Sequence, residues 1–187
     1  VSSGVKIRFL YFNWALDFTR RDKIYRNYRH DGAYYCVSPW ALTWDNENYY
    51  LIAYDPSAPE GSRIRNYRVD KMENIQLTEE KREGAQHFRG SFSPAAYSRK
   101  MFGMFSGHEE IVRLRCRKDA INILRDRFGS ELMVQPGDST HFFASVTVAV
   151  SPQFYAWVVG LNGAVRIVAP QHVCDGFRKL LLEQLEE

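Results

Sequence analysis

Between Val5 and Leu77 short runs of alternating residues follow one another, and a turn signal separates most of them. That spacing restricts this part of the chain to a small antiparallel sheet, because runs this short joined by tight turns form hairpins and curled barrels. "VKIRFLYF" places Val5, Ile7, Phe9 and Tyr11 on one face and Lys6 and Arg8 on the other. "KIYRNYR" is a second strand, and His30-Asp31-Gly32 offers a hairpin turn. "AYYCVSPWALTW" follows, with Pro39 marking a bend or an edge. Asp45 to Asn48 is a further turn. "YYLIAYD" and "IRNYRVD" flank the loop "PSAPEGS", and "KMENIQL" is a last short strand.

The period changes after Thr78. "EEKREGAQ" is charged and reads as a linker. "SPAAYSRKMFG" reads as a short helix, with Ser93 as N-cap, Pro94 in its first turn and Gly103 after its end. From Glu109 onward strands and helices alternate. "EIVRLRC" is a strand. "KDAINILRDRF" is a helix with Ala120, Ile121, Leu124 and Phe128 on one stripe, stopped by Gly129. "ELMVQ" and "HFFASVTVAV" are strands about the "PGDST" turn, Ser151-Pro152 opens a helix, and "AVRIV" is a strand. Pro170 starts a final helix with Val173, Phe177, Leu180, Leu181 and Leu185 on one side. A βαββαβ order plus a terminal helix fits a ferredoxin-like layer. The expected class is α+β, a small β-barrel followed by a ferredoxin-like α/β sandwich. The expected divisions are residues 1–80, a linker with a short helix over 81–108, and 109–187.

Composition excludes several classes. The 187 residues are 45% hydrophobic and 14% aromatic, enough for packed cores and not the make-up of a disordered chain. No apolar run approaches the ~20 residues of a membrane span, and "VSSGVKIRF" lacks the features of a signal peptide. No membrane partner and a cytoplasmic location are expected. Cys36, Cys116 and Cys174 are scattered and odd in number, which suits buried free thiols better than disulfides or zinc. The five histidines lie far apart, and no phosphate loop, nucleophile elbow or zinc-protease motif occurs. No catalytic residue, metal or cofactor is expected, and the chain does not read as an enzyme.

Net charge is +3, and residues 63–71 alone hold four cations and one anion. The positive excess is therefore local, which argues against general coating of nucleic acid. Arg63, Arg65, Tyr67, Val69 and Lys71 share one face of a straight strand, and Ile64, Asn66, Arg68 and Asp70 the other. Apolar residues fall on both faces, so a bulge or a strand covered on both sides is implied. Two readings of Arg68 stand: it pairs with Asp70 or another carboxylate, or it faces an anion. Most of Tyr34, Tyr35, Trp40, Trp44, Tyr49, Tyr50, Tyr54 and Tyr67 are core residues, and a tyrosine beside arginines can stack on a base or bond a phosphate.

"VSPWALTWDNENYYLIAYD…RIRNYRVDKM" resembles the Trp-Tyr-Leu (WYL) domain of bacterial transcriptional regulators. Pro39-Trp40-Ala41-Leu42 matches that family's first piece. Tyr49-Tyr50-Leu51 matches the second, with Tyr49 in place of tryptophan. Arg65, Arg68, Val69, Asp70, Lys71 and Met72 match the third, with Val69, Lys71 and Met72 as conservative departures. The likeness covers roughly the first 80 residues, and the half from Glu109 resembles the C-terminal extension that often follows this domain. It implies an Sm-like, SH3-type barrel that senses a negatively charged effector, a nucleotide or nucleic acid, through a basic and aromatic patch. Carried over, the ligand-binding residues are Tyr50, Arg65, Arg68 and Lys71, with Tyr54 and Arg63 beside them. The loop after the WYL strand lacks the histidine that some members carry. Members usually have an N-terminal helix-turn-helix that reads DNA; this chain starts at Val1 close to its first strand and reads as the sensor portion of a longer regulator. A homodimer is expected. The alternatives are a barrel that binds single-stranded nucleic acid directly and a protein-interaction module.

Overall fold

A computed structural model describes residues 1–88, 92–105, 107–130 and 132–186. Four positions of the expected linker (89–91 and 106), the first residue of "ELMVQ" (131) and the last residue (187) lie outside the described residues. The fold is α+β and rich in strands, with a curled half-barrel sheet and a second sheet. The chain divides into two compact units, Val1–Pro94 and Ala95–Glu187.

In the first unit, β1 (Val5–Leu16) is the shared strand. It pairs with β3 (Tyr35–Asp45) through Ile7 to Phe9, with β2 (Ile24–Tyr28) through Phe12 to Leu16, and with β6 (Met72–Lys81) through Val5 to Tyr11. β4 (Asn48–Tyr54) and β5 (Ile64–Arg68) continue outward from β3, and every pairing is antiparallel. Register shifts break β1 against β6 at two places and β3 against β4 between Pro39 and Ala41. Each extra residue bends its strand, which is how a short sheet curls. The bend expected at Pro39 is therefore present. Asn46 and Glu47 take positive φ, 44° and 62°, in the tight turn joining β3 to β4. The turn at His30–Gly32 is a run of three residues with positive φ (52°, 52° and 80°), not a hairpin: it joins β2 to β3, and each of these pairs with β1.

Ile7, Phe9 and Tyr11 are buried as the alternation predicts, with Tyr35, Val37, Leu51, Ala53, Tyr67 and Met72 around them. Lys6 is also buried, contrary to its expected place on a polar face. Its ammonium lies 2.8 Å from Glu80 and 2.7 Å from Glu83, and those hydrogen bonds raise its pKa above the ordinary lysine value. Glu80 belongs to β6, so the opening of "EEKREGAQ" is strand and not linker. The following residues, 82–88, lie against the outside of the same sheet. The Trp40 indole N–H donates to the Glu83 carbonyl at 2.8 Å, Arg82 sits 3.9 Å from the Trp40 ring, and Phe88 stacks on Trp40 at 4.7 Å. Gly84 makes this approach feasible. Its φ is +86°, and a Cβ there would come within 2.4 Å of the Tyr54 ring.

The second unit places β7 (His108–Arg117), β8 (Met133–Pro136), β9 (His141–Val150) and β10 (Val165–Ala169) in the order β10-β7-β9-β8, all antiparallel. α1 (Pro94–Lys100) precedes the sheet, α2 (Ile121–Phe128) follows β7, α3 (Pro152–Gly160) follows β9, and α4 (Gln171–Glu183) ends the unit. Val112, Leu114 and Cys116 of β7 and Ala144, Val146 and Val148 of β9 face Leu124, Phe154, Val158 and Val173. Ser151 caps α3 by accepting the Phe154 N–H at 3.3 Å, and Gly129 closes α2 at φ 90°. On α4 the stripe is shorter than expected: Val173 is buried and Phe177 and Leu180 pack beside it, but Leu185 is 80% exposed. All three cysteines are free, as expected, although only Cys116 is buried. Burial pushes its thiol up to about 12, so it acts as a small apolar residue. No helix among the described residues is long and apolar enough to cross a membrane.

The close approach at Gly84 is testable. Gly84→Ala adds a left-handed backbone penalty and an overlap with Tyr54, together about 2–4 kcal/mol of lost stability. Gly61 has a similar φ of +83° with open space around it, so Gly61→Ala carries the backbone penalty alone. Urea unfolding is expected to place the Gly84→Ala midpoint well below that of Gly61→Ala.

Candidate anion-binding site

β5 presents its residues to two sides, and its register with β4 decides which residues share a side. Arg65 pairs with Ala53 and Tyr67 with Leu51, the side of the buried aromatic cluster. Arg68 pairs with Tyr50, and Asn66 with Ile52, the opposite side. Arg65 and Arg68 are three residues apart, so they project to opposite faces. The six residues singled out in the sequence therefore do not form one cluster.

They fall into groups. Tyr50 and Arg68 are cross-strand neighbours, and the Arg68 guanidinium grips Asp70 with Nε and Nη2 at 3.1 and 2.9 Å. Those hydrogen bonds hold the Asp70 carboxyl below its ordinary value, so the pair stays closed at neutral pH. Tyr50 is buried, which raises its phenol pKa, and the nearby Arg68 opposes that shift. Arg63 donates to the Tyr54 hydroxyl at 3.2 Å and to the Ala58 carbonyl at 3.4 Å. Lys71 closes the short helical turn after β5 and forms no ion pair among the described residues. The same holds for Arg65.

Arg65 stands in different company. Tyr67 is 5% exposed and donates its hydroxyl to the Asp55 carboxylate at 2.9 Å. Asp55 is itself buried and also accepts the Ser57 N–H at 3.0 Å and the Ser57 hydroxyl at 2.6 Å. Burial, followed by the Asp55 charge and hydrogen bond, pushes the Tyr67 phenol far above the ordinary tyrosine value. It stays a donor at any physiological pH. Tyr35 lies 5.5 Å from Tyr67, ring to ring, and carries the His30 imidazole stacked at 4.3 Å. Burial raises the Tyr35 phenol as well, and Arg29 and Arg65 both act on it in the opposite sense. Arg29 also acts on Tyr11, whose hydroxyl accepts the Arg68 backbone N–H at 3.1 Å.

Arg29, His30 and Tyr35 were not among the sequence-derived site residues. Arg29 and His30 sit at a turn, where a charged residue reads as solvated, and the stacking of His30 on Tyr35 depends on the pairing of β1 with β3. The arrangement offers forked donors, a phenol and a stackable imidazole beside an aromatic floor. Those are suitable groups for a phosphate oxygen and a flat ring.

The WYL domain family model matches residues 3–77, and the WCX domain model matches residues 108–185. No curated protein matches the chain. Among solved structures, the chain is similar to proteasome accessory factor B/C (PafBC) of Arthrobacter aurescens, at 20% identity and a TM-score of 0.40, covering 100% of this chain and 26% of that one. It is also similar to a CRISPR Cas-related protein, at 12% identity and a TM-score of 0.50, covering 99% of this chain and 48% of that one. The chain therefore spans about a quarter and about half of these two proteins. The second likeness is one of fold. With WYL and WCX matches taking up most of its length in that order, the chain belongs to the WYL-domain family and carries a WCX domain after its WYL domain.

Proposed function

We propose that this chain is the effector-sensing and dimerising region of a bacterial transcriptional regulator, and that its first unit binds a negatively charged ligand, a nucleotide or short oligonucleotide. The WYL match supports a regulatory sensing role. The observation that carries the ligand reading is one of placement: His30, next to Arg29, stacks on Tyr35, and Arg65 shares the Tyr67 side of β5, while the buried carboxylate there, Asp55, is already engaged by Tyr67 and Ser57. An arriving phosphate would supply the anion that these guanidinium groups lack among the described residues. Tyr50, Arg68 and Lys71 form a second contact region that becomes fully available when Asp70 lets go of Arg68. Tyr54 and Arg63 serve to brace β4 against β5 in this reading.

The finer fold assignment belongs to the same proposal. β1, β3, β4, β5 and β6, with a single helical turn between β5 and β6, suit an Sm-like, SH3-type barrel. The order β10-β7-β9-β8 with α2, α3 and α4 on one side suits a ferredoxin-like sandwich. In functional terms residues 1–80 sense, 109–187 pair with a second copy, and 81–108 join the two. DNA would be read by a helix-turn-helix in another part of the regulator, the protein would work in the cytoplasm, and no catalysis is assigned to it.

Calorimetric titration with mononucleotides and short oligonucleotides tests the ligand. Arg65→Ala is expected to weaken binding at least tenfold with an unchanged thermal midpoint; equal affinity would overturn the assignment. Asp70→Asn is expected to strengthen binding several-fold by releasing Arg68, since a charge-assisted hydrogen bond contributes about 1.5–3 kcal/mol. A steep, sequence-tolerant loss of affinity with salt would favour direct binding of single-stranded nucleic acid over a mononucleotide effector. Sedimentation of the chain is expected to show a dimer, and a monomer across the micromolar range would remove the pairing role.

A further inference from the structure

The second sheet has two unlike faces. Val112, Leu114 and Cys116 of β7 and Ala144, Val146 and Val148 of β9 point to the helices and are apolar. On the other face α1 reaches only the near end, where Lys100 meets Glu109 at 3.0 Å, and beyond it β7 presents Ile111, Arg113, Arg115 and Arg117. The register joins these into rows that cross the sheet. Arg166 of β10 pairs with Arg115, Arg115 pairs with Phe143 of β9, and Phe143 pairs with Gln135 of β8. In the next row Arg113 pairs with Ser145, and its guanidinium lies 4.3 Å from the Phe143 ring centre. Arg113 and Arg115 thus flank one aromatic ring, and Arg166 extends the row on the next strand.

Their partners differ in kind. Arg117 grips Asp119 at 3.1 and 2.8 Å, and Arg115 reaches Asp138 at 3.0 Å. Arg113 meets only the neutral Gln135 amide, at 3.2 Å, and the Phe143 ring. Arg166 has no ion pair or hydrogen bond among the described residues, and it is exposed. From Ile111 to Arg117 on β7, and at the positions paired with that stretch, this face offers no carboxylate of its own. Rows of exposed arginine on a sheet cost electrostatic energy unless an anion covers them.

We propose that this face binds single-stranded nucleic acid: Arg113 swings from the Phe143 ring to a phosphate, Arg166 takes a second phosphate, and a base stacks on the ring face that Arg113 vacates. A four-stranded sheet with an aromatic on its central strand is a general platform for unstacked bases. Base-on-aromatic stacking tolerates any sequence, and flanking guanidinium groups track the backbone. A duplex keeps its base faces covered and leaves the ring unused. A second copy docked by this face about a two-fold axis would set one arginine row against the other, which like-charge repulsion opposes. The inference stands apart from the Arg29 and Arg65 site and does not rest on it.

The test is fluorescence anisotropy of the whole chain with labelled oligo(dT) and oligo(U) of about 12 nucleotides, within the range one such sheet spans. It is run in the wild-type and Arg65→Ala backgrounds, so that loss at the first unit and loss at this face are read separately. Arg113→Gln with Arg166→Gln is expected to lower affinity at least tenfold in both backgrounds. It should also reduce the slope of log affinity against log salt by about 1.4, the value for two phosphate contacts on a single strand. Phe143→Leu keeps an apolar side chain and is expected to weaken binding roughly five- to hundredfold with little change in salt slope. Should the glutamine variants unfold, Arg113→Lys with Arg166→Lys keeps the charge and must retain the wild-type salt slope. Wild-type affinity in the glutamine variants in both backgrounds overturns the proposal. So does a Phe143→Leu variant without effect together with polyglutamate displacing the oligonucleotide as well as unlabelled oligo(dT) does, which would assign the face to an acidic protein.

Discussion

A herringbone of aromatic rings holds the first sheet in its curl. Phe9 is stacked on Tyr35 with centres 5.6 Å apart and meets the edge of Tyr67 at 5.1 Å; Tyr11 meets Tyr35 and Tyr67 edge-on at 6.0 and 5.4 Å. Phe9 and Tyr11 belong to β1 and Tyr67 to β5, with β3 and β4 between them in the sheet. Flat, those strands would stand about 14 Å apart at the usual interstrand spacing. Rings 5.1 Å apart are possible only if the sheet folds over on itself. Each such pair adds about 0.5–1.5 kcal/mol to the area it buries. The Tyr11 hydroxyl also takes the Arg68 backbone N–H, so β1 and β5 are tied by a polar contact as well as by packing.

The electrostatics of the site follow from that closure. Packed phenols bring their hydroxyls to a common rim, and each needs a partner once water is excluded. Tyr67 takes Asp55, a carboxylate that the Ser57 hydroxyl and N–H also hold. Arg65 emerges on the same side of β5 as Tyr67 and finds the local acid occupied. On the opposite side of β5 the outcome is reversed, because Asp70 lies two residues beyond Arg68 and closes on it. Two arginines three positions apart thus differ in availability because of strand geometry and one local acid.

The second unit uses period-two alternation for a similar division of labour. In "EIVRLRCR" the apolar set Val112, Leu114 and Cys116 is fully buried, and the arginines between them are left on the opposite face. α2, α3 and α4 cover one side, so whatever uses the other must suit its charge. Arg113 resting on Phe143 keeps that cation near the ring and away from any acid.

Local residue order determined much of this molecule. Alternation set the strands, Pro39 set a bulge, Asn46 and Glu47 a tight turn, and Ser151 with Pro152 the start of α3. These depend on backbone preferences and neighbours within a few positions, so they can be read without the fold. The Arg68–Asp70 pair is as local as these, and it was foreseen as one of two alternatives. What only the tertiary structure decided was which cations meet. His30, beside Arg29, meets Tyr35, whose ring lies 5.5 Å from Tyr67 on the Arg65 side of β5, and Lys6 is sequestered by Glu80 and Glu83 more than seventy residues away. The stretch read as a charged linker is in part the end of β6, because pairing with β1 outweighed its polarity. Face assignment on β5 needed its register with β4, and a sequence that is apolar on both faces does not declare which side will be closed by other strands.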